Sequence, residues 1–263
     1  IMPTPRGSSY NAYLVRGTEK VALIDTGEPN DEAEFITNLM RLDQNSLDYI
    51  VCLHGEQDHS GMLPLLLDVF PMAKVVTNEV CKGLLVEMHN LYEMDDRFII
   101  VGQDDTIDLG GKTLKFYLAP WVHWPDTMFA EVVEDKVLFT SDFLGTHYAS
   151  ETLFQNDDLP DYLEAAKRYY AAIMMPFRAS VREYLELVKT IDPKIIAPSH
   201  GPVLKMPAKI VDLYADWSSE TPKNKVVVAY VSMHGSTKQM ASFLVDALIQ
   251  RGVPVNQYNL LDT

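Results

Sequence analysis

Cysteine is almost missing: Cys52 and Cys81 are the two in 263 residues, and they form no CxxC pair. That excludes a disulfide framework and a thiolate metal site, and it fits a reducing cytoplasm. Long apolar runs are missing too. No stretch approaches the roughly 18 residues of a membrane helix, so no membrane partner is expected. Positive charge is scarce, with 22 Lys and Arg against 37 Asp and Glu and a net charge of −15. Nucleic acid and anionic lipid are therefore poor partners. What remains is a chain that is 47% hydrophobic, enough to bury a sizeable core as one large domain or two smaller ones.

The stretch that organises the chain is His54-Gly55-Glu56-Gln57-Asp58-His59, directly after the apolar run Tyr49-Ile50-Val51-Cys52-Leu53. Four metal-ligand side chains fall within six residues at the end of a predicted buried strand. As a continuing strand, His54 and Asp58 would lie roughly 13 Å apart. As a helix, successive residues would turn by about 100° and point around the axis. Only a tight loop aims all of them at one place, and ligand distances near 2 Å require that. The same pattern without a metal would be a solvated turn.

Earlier in the chain, Tyr10 to Val15 and Val21 to Asp25 read as strands joined by a polar turn. Asp25-Thr26-Gly27 follows, a triplet also found in aspartic proteases. It occurs once, so a protease would need a symmetric dimer; the other reading is a structural Asp that orients nearby ligands. Residues 32–42 are helical in period, 48–53 form the strand feeding the ligand stretch, and Ser60 reads as an N-cap with Pro64 in the first turn. Lys74 to Thr77 is a strand and Asn78 to His89 a helix, with His89 at the surface. Strands are expected at 98–101, 106–109 and 113–118, with Gly110-Gly111 as a hairpin turn.

His123, between Trp121 and Trp124, is either a packed core residue or a ligand. Strands at 128–133 and 137–140 lead to Ser141-Asp142; helices are expected at 158–174 and 176–190; and a strand at 195–198 ends at Ser199-His200-Gly201-Pro202. Thus His54, Glu56, Asp58, His59, His123, Asp142 and His200 all stand at or just past strand ends. That recurrence points to one site at one edge of two mixed sheets packed face to face, with helices outside.

Residues 207–217 read as one more helix, and 218–224 are polar, turn-rich and aperiodic, which marks a domain boundary. Lys225 to Val231 is a β-branched run of the parallel-sheet type. The loop Ser232-Met233-His234-Gly235-Ser236-Thr237 opens a helix over 238–251, and a second strand is expected over 253–261. Strand, small-hydroxyl loop and helix N-terminus together make a phosphate cradle, although many such turns carry no ligand. This unit is too small a sheet to stand alone, and the sequence opens at Ile1 in strand-like text; the chain is expected to be a piece of a longer one.

The segments His54 to Gly61, His123-Trp124-Pro125-Asp126, Ser141-Asp142 and Pro198 to Pro202 resemble the ligand segments of the flavodiiron proteins (A-type flavoproteins). Arg6 to Leu14 and Tyr230 to Thr237 resemble that family's opening segment and its flavodoxin phosphate loop. The resemblance implies an α/β chain: an αββα metallo-β-lactamase-like sandwich over 1–217, a linker over 218–224, and the first βαβ of a flavodoxin-like doubly wound domain over 225–263. It implies two iron ions, one held by His54, Glu56 and His123, the other by Asp58, His59 and His200, with Asp142 between them. Some members leave the counterpart of His59 uncoordinated. It implies FMN with its phosphate at Ser232, Met233, His234, Gly235, Ser236 and Thr237; His234 stands where tyrosine is frequent.

The implied activity is reduction of O2 to water, or of NO to N2O, by electrons passed from FMN to the irons. A rubredoxin-like or other donor and a head-to-tail homodimer or homotetramer belong to the same expectation. Ligand chemistry agrees, because hydrolytic relatives carry His where Glu56 stands, and mixed imidazole and carboxylate donors suit iron. The rival readings are a dinuclear zinc hydrolase of the same fold, using a metal-bound hydroxide, and a non-catalytic diiron oxygen sensor.

Overall fold

The computed structural model describes residues 4–42, 46–155, 161–221 and 224–261. It divides into two compact units, 1–218 and 219–263. The first unit opens with strands β1 (Tyr13–Arg16) and β2 (Val21–Ile24), helix α1 (Glu32–Arg41), β3 (Tyr49–Val51), the single turn α2 (Gln57–Ser60), α3 (Leu63–Val69), β4 (Lys74–Thr77), α4 (Glu79–His89) and β5 (Phe98–Ile100). These strands form one sheet in sequence order, antiparallel between β1 and β2 and parallel from β2 onward.

The second half supplies β6 (Thr106–Asp108), β7 (Thr113–Leu118), β8 (Met128–Val132), β9 (Val137–Phe139), α5 (Tyr162–Tyr169), α6 (Arg178–Ile191), β10 (Ile195–Ala197) and α7 (Ala208–Ser218). Its sheet runs β10-β9-β8-β7-β6, antiparallel except for the parallel pair of β9 and β10.

Strand alternation explains the layering. Successive side chains face opposite sides, so a strand buried on both faces must be apolar throughout. Ile24, Val51 and Val76 point inward and pack with Phe116, Ala130, Phe139 and Ala197 of the second sheet. Their neighbours Leu23, Ile50 and Val75 point outward, onto Leu63 and Leu66 of α3 and Cys81 and Leu85 of α4. On the far side Tyr117, Phe129, Leu138 and Ile196 carry Ala166 of α5, Leu185 of α6 and Tyr214 of α7. The result is helix, sheet, sheet, helix. Strand ends of both sheets thereby reach the same edge of the sandwich.

Several boundaries differ from the sequence reading, each for a local reason. The first strand begins at Tyr13, not Tyr10, because Asn11 leaves the ladder: its amide nitrogen donates to the carbonyls of Pro198 (2.9 Å) and Gly201 (2.8 Å). Ser60 does not cap a following helix; it ends α2, and its hydroxyl donates back to the Gly55 carbonyl at 2.8 Å. The helix expected over 158–174 begins within residues outside those described; α5 starts at Tyr162 and gives way to a wider π turn over Tyr170–Met174. Gly110 and Gly111 do form the β6–β7 turn, with φ of 82° and 70° that a side chain would strain. Among the described residues no helix is long and apolar enough to cross a membrane.

Tyr214 is fully buried, yet its hydroxyl has no hydrogen-bond partner among the described residues. A buried orphan hydroxyl is destabilising, so Tyr214→Phe is expected to raise the unfolding free energy by about 1 kcal/mol. Urea denaturation should show a higher midpoint at unchanged slope.

The second unit is small. β11 (Val226–Tyr230), α8 (Ser236–Ile249) and β12 (Val255–Asn259) form one βαβ with parallel strands.

Candidate metal centre

The first sheet delivers its ligands through one loop. Asp25, just past β2, adopts φ 55° and accepts the Leu53 amide at 2.8 Å, which closes the end of β3. The chain then turns through His54, Gly55 and Glu56 into α2. There the Ser60 hydroxyl grips the Gly55 carbonyl, so Asp58 and His59 swing back beside His54. The second sheet answers with His123 after β7, Asp142 after β9 and His200 after β10.

All seven predicted side chains meet. His54 Nε2 stands 3.3 Å from Glu56 Oε2 and 3.7 Å from Asp142 Oδ2. His123 Nε2 is 3.4 Å from both of those oxygens. On the other side His59 Nε2 lies 3.5 Å from Asp58 Oδ1 and 3.3 Å from Asp142 Oδ2. His200 Nε2 lies 3.3 Å from Asp58 Oδ2 and 3.1 Å from Asp142 Oδ1. Two three-residue sets emerge, His54 with His123 and Asp142, and Asp58 with His59 and His200. The carboxylate of Asp142 faces both.

These separations decide what the cluster is built for. Hydrogen bonds close at about 2.7–3.2 Å. Two ligands each about 2.1 Å from a shared ion at tetrahedral angles lie about 3.4 Å apart. Most of the donor pairs here match the second figure. Asp58 Oδ1, His59 Nε2 and Asp142 Oδ2 are buried, point into the cluster and have no hydrogen-bond partner among the described residues. Orphaned buried acceptors are costly, and a cation on each side of Asp142 would satisfy them. The donor set fits a metal pair.

Three of the four histidines have their other ring nitrogen occupied. His54 Nδ1 faces Asp126 Oδ2 at 3.0 Å, His59 Nδ1 faces Asp25 Oδ2 at 3.3 Å, and His200 Nδ1 faces the Ser9 carbonyl at 2.9 Å. Each acceptor fixes the proton on Nδ1 and leaves the Nε2 lone pair free for a metal. Asp25 is itself held by the Ser199 hydroxyl at 2.9 Å. It therefore orients a ligand and is no protease carboxylate. Asp126 also accepts the Gly55 amide at 2.7 Å, and Tyr169 Oη donates to Asp142 Oδ1 at 2.9 Å.

Electrostatics follow from this crowding. Bonds to His123 and His54 hold the Glu56 carboxyl down at about 2. Burial would raise the Asp142 carboxyl, but the imidazoles of His59, His123 and His200 outweigh it and push it well below its usual range. Burial likewise depresses His123 and His200, and their carboxylate partners reverse the effect and lift each to about 9.

Sequence reading missed part of the surroundings. His147 carries no motif, yet its ring packs edge-on against His200 at 5.2 Å and Tyr169 at 4.9 Å. Burial, and then the charge of His200, pull it down to about 4. His89, expected at the surface, is half-buried with Nε2 2.9 Å from Ser60 Oγ. Neither contact leaves a local trace, because each partner lies far away along the chain.

In the second unit, Ser232 to Thr237 form the loop between β11 and α8. The Gly235 amide donates to Ser232 Oγ at 3.0 Å, Gly235 takes φ 86°, and no side chain caps the helix start. Met233, His234, Ser236 and Thr237 are exposed.

A family model described as ODP family beta lactamase matches residues 9–201, a span that contains all seven clustered side chains. The chain belongs to that family. Among its relatives, the flavo-diiron protein FprA2 of Clostridium acetobutylicum is 37% identical over 94% of this chain and 64% of its own length. A nitric oxide reductase of Moorella thermoacetica is 36% identical over 98% of the chain and 65% of its own. The solved structure of rubredoxin oxygen:oxidoreductase from Desulfovibrio gigas superposes with a TM-score of 0.91 at 29% identity, covering 99% of this chain and 66% of that one. The chain therefore spans just under two thirds of the length of these relatives. The family's sandwich fold is the one described above.

Proposed function

We propose that residues 1–217 are the diiron domain of a flavodiiron oxidoreductase that reduces O2 to water, NO to N2O, or both. Residues 218–224 would be the linker, and 225–263 the first part of a flavodoxin-like domain whose loop from Ser232 to Thr237 receives the FMN phosphate. The observation that carries this reading is Glu56, whose carboxylate stands between the Nε2 atoms of His54 and His123 at 3.3 and 3.4 Å. A hard oxygen donor there favours iron over the all-imidazole arrangement of zinc hydrolases.

His54, Glu56 and His123 would hold one iron; Asp58, His59 and His200 would hold the other; Asp142 would serve both. Bound there, an iron pair supplies the electrons that a diatomic gas takes up. The chain's own residues do the rest. Asp126, Asp25 and the Ser9 carbonyl keep three imidazoles in the Nδ1–H form. Tyr169 Oη keeps a proton 2.9 Å from Asp142 Oδ1. Walls of buried His54, His59 and His200 exclude water, while Glu56 (39% exposed) and His123 (16%) mark the side a gas would enter. A rubredoxin-like donor, and a homodimer or homotetramer in which one copy's flavin serves another's irons, complete the proposal by family resemblance.

Anaerobic purification and metal analysis test it: about two irons per chain are expected, as a paired site requires. Stoichiometric zinc with thioesterase activity would replace the reading by a hydrolase. A loaded centre that binds O2 without turnover in the longer flavin-containing protein would make it a sensor.

A further inference from the structure

Four of the seven clustered side chains, His54, Glu56, Asp58 and His59, ride on one turn, and what holds that turn lies outside the cluster. The Ser60 hydroxyl sits 2.8 Å from the Gly55 carbonyl and 3.1 Å from the Glu56 carbonyl. Both are acceptors only, so the single hydroxyl proton goes to them. His89 Nε2 approaches the same Oγ at 2.9 Å. With the serine proton already committed, Oγ accepts there and His89 must be the Nε2–H donor. Ser60 is completely buried, so bulk solvent does not reach that oxygen.

We propose that His89 is a positioning residue of the centre: through its Nε2–H it sets the Ser60 hydroxyl, which clamps the backbone of the ligand turn. The clamp acts on the turn at Glu56, the residue whose own side chain faces His54 and His123. A helix on the outer layer, α4, thus reaches the site through one serine. The proposal rests on the reading that the cluster holds metal, but part of its test does not.

The variants are His89→Ala, His89→Gln, Ser60→Ala and the Ala–Ala double, with Met88→Ala on the same helix as control; Met88 is 41% exposed. With Fe2+-loaded chain, release to an excess of chelator should be about ten-fold faster for either Ala variant, the lower end of what outer-shell partners contribute. His89→Gln keeps an N–H donor and should stay within about two-fold of the parent. The double variant should release no faster than Ser60→Ala, since both act through one contact. Co2+-loaded His89→Ala should show a shifted visible spectrum, which a loss of general stability would not produce.

Parental release rates for His89→Ala, or additive effects in the double variant, overturn the proposal. So does a lowered melting temperature with unchanged release and spectrum. In the metal-free chain, amide exchange over residues 54–60 should be faster in His89→Ala than in the parent. Equal exchange there defeats the clamp whether or not metal binds, while a parent that takes up no stoichiometric metal defeats the diiron reading alone.

Discussion

Asp142→Asn is expected to strip the centre, taking metal content after anaerobic reconstitution from about two ions per chain to well below one. Asp142 is the one side chain shared by both ligand sets: its oxygens lie 3.1 to 3.7 Å from the Nε2 atoms of His54, His59, His123 and His200. Asparagine has nearly the same shape, so packing survives. It replaces one of the two acceptor oxygens with an NH2 that offers no lone pair and removes the negative charge between two cations. The buried imidazoles lose their common counter-charge, and breaking such a buried pair costs about 3–5 kcal/mol. Metal analysis and thermal melts of the variant check both effects. Any FMN binding at the proposed loop from Ser232 to Thr237 should be unchanged, since that loop lies in the separate unit. Full occupancy in Asp142→Asn would show that the two sets do not depend on a shared carboxylate. Equal loss of both cofactors would show that the sites are not independent.

The second large effect belongs to Asp126→Ala, a residue expected to touch no metal. Asp126 is completely buried and its Oδ2 serves both His54 Nδ1 and the Gly55 amide. Alanine leaves both donors without an acceptor, which costs about 1–3 kcal/mol for each. Without that anchor the His54 ring can rotate and change tautomer. Outer-shell losses of this kind lower metal affinity about 10–100-fold. The loss should fall on the ion at His54, Glu56 and His123 first, because His59 has its own carboxylate in Asp25. Chelator titration should therefore turn biphasic, one ion leaving early. Uniform release of both ions would mean that Asp126 stabilises the fold and not that ligand set. Asp126→Asn keeps one acceptor oxygen and should fall between the two.

The seven clustered side chains were legible because the fold gathers them at strand ends, and strand ends can be found from alternation. His54, Glu56, Asp58 and His59 crowd one loop after the apolar run at 49–53; Asp142 and His200 each follow a short β-branched or apolar strand. His123 alone was ambiguous, flanked by two tryptophans. Trp124 turned out to pack edge-on against His54 at 4.9 Å, so the aromatic signal and the ligand signal were the same feature. The layers were equally legible from apolar runs that must be covered on both faces. What stayed hidden depends on pairs distant in sequence. The Ser9 carbonyl meets His200, Asn11 meets Pro198 and Gly201, and His89 meets Ser60. No spacing rule encodes such pairs, and a polar residue in them looks like any solvated one. That is why alternation starts the first strand three residues too early and Ser60 reads as a cap it does not make.

The ends of the two sheets supply different shares of each ligand set. His54 and Glu56 come from one half of the sandwich and His123 and Asp142 from the other; Asp58 and His59 from one and His200 from the other. An occupied centre is then a pair of rivets through both halves. The sandwich could not hinge open along that edge without giving up both ions, so a chain without them would be held there by packing and hydrogen bonds alone.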